Sequence, residues 1–252
     1  MELHRHRSAG PGPGGAGTGA ARPLGDLSEW PRALSLDIWG TLIGSDPAFK
    51  PARNEMLRRA LAPGVAGGDF DVALRAADHD GDELSMATGR DVGFDQRVGL
   101  VLDRLGVGGA ALGDRSAYLM AEQAALALTH PPRPLTHRLP QLLAAVAERM
   151  PVVLTSNTGM LPGELMRKLL RLAGFRDDLG MVFSNEVGAA KPSREIFDIA
   201  VGVVAVPAPD VLHVGDNPVA DVRGAGAAGL RTLLVEPDGV ALAARLETIA
   251  RA

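Results

Sequence analysis

No cysteine occurs among the 252 residues, which removes disulfides, thiolate nucleophiles and cysteine-held zinc from the chemistry open to this chain. A run of about 18 apolar residues is also missing, so no segment reads as a membrane-spanning helix. Nor is there a basic excess. The formal net charge is -4 at pH 7, leaving no basic field to draw in nucleic acid or an anionic membrane surface. Lysine is scarce: of the 26 basic residues only Lys50, Lys168 and Lys191 are lysines. Arginine is therefore the default surface cation, and a lysine inside a motif stands out. The opening residues, MELHRHRSAG, are basic but run into glycine and proline and not into an apolar segment. The expectation is a cytoplasmic protein acting on small molecules.

What is present is enough for a full core, with 46% hydrophobic and 22% charged residues. Residues 8–25, SAGPGPGGAGTGAARPLG, lack apolar periodicity, and residues 1–31 read as a disordered tail. Trp30, just before Pro31, is read as its anchor to the core. From residue 33 short apolar runs alternate with amphipathic stretches. ALSLDI, VVLTSN, MVFSN, VLHVGDN and RTLLV are strand candidates. PQLLAAVAERM, GELMRKLLRLAG, SREIFDIAVGVV and VADVRGAGAAG are the helices between them. This alternation implies an α/β fold with right-handed crossovers and a Rossmann-like parallel sheet covered on both faces.

About a hundred residues separate Thr41 from Val152, far more than one crossover needs. Four helical patterns fill the gap, with GSDP at its start and PPRP at its close. The expected organisation is a core made of residues 32–45 and 134–252, interrupted by a helical cap at 46–133.

In an open parallel sheet, ligands bind beyond the carboxyl ends of the strands. Those ends carry Asp37 on the first strand, Ser156 and Asn157 on the second, Lys191 after the third, and Asp216 with Asp221 after the fourth. Each alone is an ordinary turn or capping residue. Together they supply a carboxylate nucleophile, a hydroxyl donor, a cation and a carboxylate pair of the kind that holds a metal.

These four segments, LSLDIWGTLI, VVLTSNTG, SNEVGAAKPSREIF and HVGDNPVADVRGAGAAG, resemble the four motifs of the haloacid dehalogenase superfamily in order and approximate spacing. The helical insertion is similar to that family's first-type cap. The resemblance implies a hydrolase in which Asp37 attacks and forms a covalent aspartyl intermediate that water then cleaves. It further implies Mg2+ held by Asp37, the carbonyl of Trp39, Asp216 and Asp221. Lys191 would offset charge near Asp37, and Ser156 would hydrogen-bond phosphate oxygens. Asn157 and Thr41 are candidate substrate contacts, with turn bracing an equal possibility for the first and the better one for the second.

One position departs from the pattern. Phosphatases of this superfamily carry a second aspartate two residues after the nucleophile, where it protonates the leaving group, and this chain has Trp39. Indole is neither acid nor base at neutral pH, so a contribution of about 10² to 10⁴-fold lacks its usual source. Three readings stay open. The first is a Mg2+-dependent phosphohydrolase acting on a small phosphorylated substrate with a good leaving group, with Asp46 as a conceivable replacement acid. The second is a 2-haloacid dehalogenase, since those enzymes carry an aromatic residue at this place. The third is a weakly active or inactive homologue that binds a ligand or partner.

Arg53, Arg90 and Arg97 are candidate anion binders in the cap. The acidic run DHDGDE, residues 78–83, lacks a glutamate at the twelfth loop position, which is Gly89, and reads as a solvated loop and not a calcium site. His213 is expected to pack within the sheet. GAGAAG is expected to allow close helix packing without being a dinucleotide fingerprint. The expected partners are a small phosphorylated molecule and at most a second copy of the chain.

Overall fold

The computed structural model describes residues 30–251. The expected tail thus lies outside the described residues except for its last two. Trp30, where the described residues begin, is 39% exposed.

Five parallel strands form the sheet: β1 (Ala33–Leu36), β4 (Val152–Ser156), β5 (Gly180–Phe183), β6 (Val211–Gly215) and β7 (Arg231–Leu234), in the order β5-β4-β1-β6-β7. Two short strands, β2 (Ile43–Gly44) and β3 (Arg133–Pro134), pair antiparallel apart from it. All four residues of β1 are buried, because the strand is covered on both faces. Leu34 and Leu36 join Leu154, Leu212 and Val214 in one apolar layer, beneath the helices α5 (Leu139–Ala147), α6 (Gly163–Leu172) and α10 (Val240–Arg251). Ala33, Val153 and Val211 face the other layer with Ile196, Phe197 and Ala200 of α8 (Arg194–Val204).

The strands are one or two residues shorter than the sequence runs suggested, and each ends just before its chemical residue. Asp37 follows β1, Asn157 follows β4, and Asp216 follows β6. Ser184 and Asn185, expected at the end of a strand, instead open the short helix α7 (Ser184–Val187). The helix expected over residues 219–229 begins as a π-helical turn, Pro218–Arg223, capped by Asn217, before α9 (Gly224–Ala227). A Cβ on Gly224 would lie 2.8 Å from Pro192 Cα, so the glycine-rich segment does serve close packing.

Between β2 and β3 run α1 (Phe49–Leu61), α2 (Gly67–Thr88), α3 (Phe94–Arg104) and α4 (Ser116–Thr129). Their apolar sides share a separate cluster built on Leu57, Phe70, Leu74, Val98, Leu102 and Leu119. The DHDGDE run is no loop: it lies inside α2. The buried positions Phe70, Ala73, Leu74, Ala77, Gly81 and Ser85 keep helical spacing straight through it. Packing of that stripe overrides the turn tendency of aspartate and glycine.

Candidate active site

Asp37 is set at the carboxyl end of the central strand, where its N–H donates to Val214 O of β6 at 2.9 Å. Its carboxylate is nearly buried and meets the buried ammonium of Lys191. Lys191 Nζ lies 2.6 Å from Asp37 Oδ1 and 2.6 Å from Asp221 Oδ1, so one cation bridges two carboxylates. Asn157 fixes the backbone of that lysine. Its Oδ1 accepts from Lys191 N at 2.7 Å and its Nδ2 donates to Lys191 O at 3.0 Å.

Two glycines make room for the fourth-motif carboxylates. Gly40 has φ +73°, and a Cβ there would lie 2.3 Å from Asp216 Oδ2. A Cβ on Gly215 would lie 2.2 Å from the Asp221 carboxylate. Asp221 Oδ2 accepts from Asn217 N at 2.9 Å, which ties it to the head of the π-helical turn. Asp37, Asp216 and Asp221 each place a carboxylate oxygen within 4.8 Å of the others. Three converging carboxylates with no nitrogen or sulfur donor form an all-oxygen set, the kind a hard divalent cation such as Mg2+ takes. The set fits that ion.

Electrostatics separate the three acids. Burial pushes Asp37 up to about 6, with Asp221 adding repulsion and Lys191 opposing the rise. Burial likewise raises Asp216, with Asp221 contributing. Burial would raise Asp221 too, but Lys191 and His213 outweigh it and hold this carboxyl below the usual range. Burial opposes charge on Lys191, and Asp221 and Asp37 more than offset it, keeping the ammonium above the ordinary lysine range. Asp221 is thus the lasting anion of the site, and Asp37 the one whose charge responds to what binds.

A cavity of about 450 Å³ opens over these groups, between the strand ends and α1–α3. Asp37, Trp39, Ser156, Asn157, Lys191, Asp216 and Asp221 all line it. Thr41 does not: it is fully buried, with no hydrogen-bond partner for its hydroxyl among the described residues. Asn157 reaches the lining, yet both ends of its amide already serve Lys191. Trp39 also borders a small space shared with Phe49, Ala127 and His130, which puts its ring beneath the helices.

Asp46 is not in the lining of the main cavity but borders the small space beside Trp39, and its carboxylate is already engaged. Its oxygens accept from Ala48 N and Arg133 Nη2, and these contacts keep it below the usual carboxylate range. Of the three arginines, Arg53 and Arg97 are buried at the cavity, whereas Arg90 is exposed and donates to Gly188 O. Arg97 reaches across from α3 to lie between Gly81 of α2 and Gly159 of the core, where a Cβ on either glycine would crowd its guanidinium. Asp78 and Asp82 of α2 pair with Arg53 and Arg97, so the acidic run supplies their counter-charges.

Two features were not anticipated. His213 does more than pack: Nε2 lies 3.2 Å from Asp221 Oδ1 and Nδ1 2.8 Å from Ser35 Oγ. Polar residues at alternate positions of otherwise apolar strands, Ser35 and His213, were the available signal. Asp91, between α2 and α3, accepts from Ser184 Oγ and from Gly159 N. Nothing local in the sequence marks it, because its partners are some 70 to 90 residues away.

The HAD-hydrolase-like family model matches residues 188–252, the stretch that holds Lys191, Asp216 and Asp221. That match takes in about a quarter of the chain and is to hydrolases of the haloacid dehalogenase type. The chain is 38% identical over 93 residues to a phosphoserine phosphatase of Thermus thermophilus, a match covering 36% of this chain. The matched stretch spans 37% of that enzyme's length. The fold is shared with magnesium-bound YfnB of Bacillus subtilis, at 18% identity and a TM-score of 0.55, covering 82% of this chain and 89% of that one. It is shared also with the defluorinating L-2-haloacid dehalogenase Rha0230, at 18% identity and a TM-score of 0.60, covering 86% and 95%. Phosphatase-type and dehalogenase-type members thus both stand among the neighbours. Among the described residues no helix is long and apolar enough to cross a membrane.

Proposed function

We propose that the chain is a Mg2+-dependent phosphohydrolase of small phosphorylated substrates with good leaving groups, with α1–α4 acting as its cap. The observation that carries this reading is the three-carboxylate cluster of Asp37, Asp216 and Asp221. A carbon-halogen hydrolase needs a nucleophile and a cation, but not three acids around one point.

Asp37, Asp216, Asp221 and the carbonyl of Trp39 would hold the ion. When bound, it supplies positive charge that screens an anionic phosphoryl group from an anionic nucleophile. Asp37 attacks phosphorus through one carboxylate oxygen, the leaving group departs with its electron pair, and water later cleaves the aspartyl phosphate. Lys191, already shared between Asp37 and Asp221, donates toward the charge that gathers in the transition state. Ser156 supplies a further donor at the cavity wall. Trp39 offers no proton, which favours substrates whose leaving group is stable as an anion, such as acyl phosphates and phosphoanhydrides.

The test is phosphate release from a panel of phosphoesters and phosphoanhydrides, with Mg2+ and with chelator, for the wild type and Asp37→Asn. Metal-dependent release that vanishes in the variant, with anhydrides ahead of simple esters, is the expected result. No release from any member would overturn the proposal. Trp39 supports a second reading, 2-haloacid hydrolysis, because halide leaves without an acid; metal-independent halide release would establish it.

A further inference from the structure

A buried polar row runs beneath the site on one face of the sheet. Ala33, Val153 and Val211 form an apolar row there, packed toward α8. One step nearer the carboxyl edge the same face carries Thr155, Ser35 and His213, all with 0% exposure. Burying three polar side chains costs free energy unless each finds a partner, and apolar residues would serve the sheet better. Each does find one, in sequence. Thr155 Oγ1 lies 3.0 Å from Ser35 Oγ, Ser35 Oγ 2.8 Å from His213 Nδ1, and His213 Nε2 3.2 Å from Asp221 Oδ1. Ser35 and His213 are register partners on β1 and β6. The edge of the Phe197 ring packs against the imidazole at 5.0 Å and 82°, which fixes the plane of the ring.

An ionised Asp221 can only accept, so His213 Nε2 carries the proton of that contact. In the neutral imidazole, Nδ1 then accepts from Ser35, and Ser35 from Thr155, with all donors directed toward the carboxylate. Asp221 is consequently held at three points, Oδ1 by His213 and Lys191 and Oδ2 by Asn217 N. Of the two anchors on Oδ1 only His213 is set within a strand; the ammonium is also drawn to Asp37, so without the imidazole Oδ1 is free to follow it. Lys191 shares the same Oδ1, so a swing would also change how that ammonium is divided between Asp221 and Asp37.

We propose that His213, oriented by Ser35, is a positioning residue that fixes the Asp221 carboxylate and, through it, the sharing of Lys191 with the nucleophile. The role rests on the proposed function only for its effect on Mg2+ binding. The experiment compares His213→Leu, His213→Gln, Ser35→Ala and, as a control, Val211→Ala on the same face but outside the row. Each is crystallised without metal and titrated with Mg2+ by calorimetry.

In His213→Leu the Asp221 plane turns, Lys191 shifts between Asp221 and Asp37, and Mg2+ affinity falls about 10- to 100-fold. His213→Gln, whose amide N–H reaches the place of Nε2–H, stays within about threefold of the wild type. Val211→Ala melts earlier but binds Mg2+ as the wild type does. An unmoved Asp221 and Lys191 in His213→Leu, or an equal Mg2+ loss in Val211→Ala, overturns the proposal. Should His213→Leu fail to fold, Ser35→Ala decides: a displaced Asp221 supports the role and an undisturbed site overturns it. A wild type that binds no Mg2+ would sink the phosphohydrolase reading, while the crystallographic comparison still decides the role of His213.

Discussion

Asn157 and Lys191 grip each other through both ends of one amide, Oδ1 accepting from the lysine N–H and Nδ2 donating to the lysine C=O. The loop that delivers the ammonium is therefore fastened to the end of β4, and the cation inherits the precision of the sheet. Asn157→Asp keeps the acceptor and replaces the donor with an oxygen facing the Lys191 carbonyl. The loop shifts, and a misplacement of about 1 Å costs on the order of 10²-fold in rate. The expected result is a fall in kcat of about 10- to 100-fold with KM changed far less. A KM-dominated loss would instead mark Asn157 as a substrate contact.

Gly40 offers a sharper geometric test. Its φ of +73° suits glycine, and the Asp216 carboxylate occupies the space a Cβ would take, at 2.3 Å. Gly40→Ala therefore strains the turn and expels one of the three carboxylates. Activity with Mg2+ should drop by more than about 10²-fold and Mg2+ affinity with it, while the cost in stability stays at about 1–3 kcal/mol. Retained Mg2+ affinity, read by calorimetry, would show that Asp216 is not needed to hold the ion.

Legibility from sequence followed the range over which each feature is determined. Asp37, Lys191, Asp216 and Asp221 could be found because each ends or follows an apolar strand, and a parallel sheet gathers such ends at one edge. The acidic stretch of α2 was read both within a helical pattern, DVALRAADHDGDELSMA, which holds, and as a solvated loop, which does not, because local turn composition competes with a helical stripe that extends well beyond it. Asp46 looked available from its place near a hinge, yet the partner that occupies it, Arg133, is 87 residues away. Asp91 and the pairing of His213 with Ser35 depend on contacts between distant segments and show in the fold alone. The terminal helix α10 was missed as well, though Leu242, Leu246 and Ile249 bury one face of it at helical spacing.

The buried charge of Asp37 gives a stability signature. Its carboxyl is pushed up to about 6, against 3.8 in an open chain. Between those values the folded protein binds more protons than the unfolded one, so this group lowers stability as pH rises from about 4 to about 6. Asp221 acts in the opposite sense: held low, it contributes fully above its unfolded value and loses that contribution as pH falls toward its folded one. Asp37→Asn keeps the uncharged form throughout. Metal-free Asp37→Asn should exceed the wild type by about 3 kcal/mol at pH 7.5 and by only about 1 kcal/mol at pH 4.5, in urea unfolding. An equal difference at both pH values would remove burial of this charge as the cause.

Asp91 ties the helical layer to the core. It accepts from Ser184 Oγ and Gly159 N, and beside it Ala190 N donates to Gly89 O at 2.8 Å and Arg90 Nη1 to Gly188 O at 3.2 Å. The turn between α2 and α3 thus rests on the same two core loops that carry Asn157 and Lys191. A carboxylate accepting several hydrogen bonds cannot be removed without leaving buried donors unmet, at about 1–3 kcal/mol. Asp91→Ala should loosen that contact before it touches the chemistry. Faster amide exchange in residues 89–97, a KM several-fold higher and a nearly unchanged kcat are expected, because Arg97 and Asp82 swing away from the cavity while Asp37 and Lys191 stay in place. Uniformly faster exchange across the sheet as well would mean that Asp91 supports the whole fold and not the junction, and the separation of KM from kcat would disappear with it.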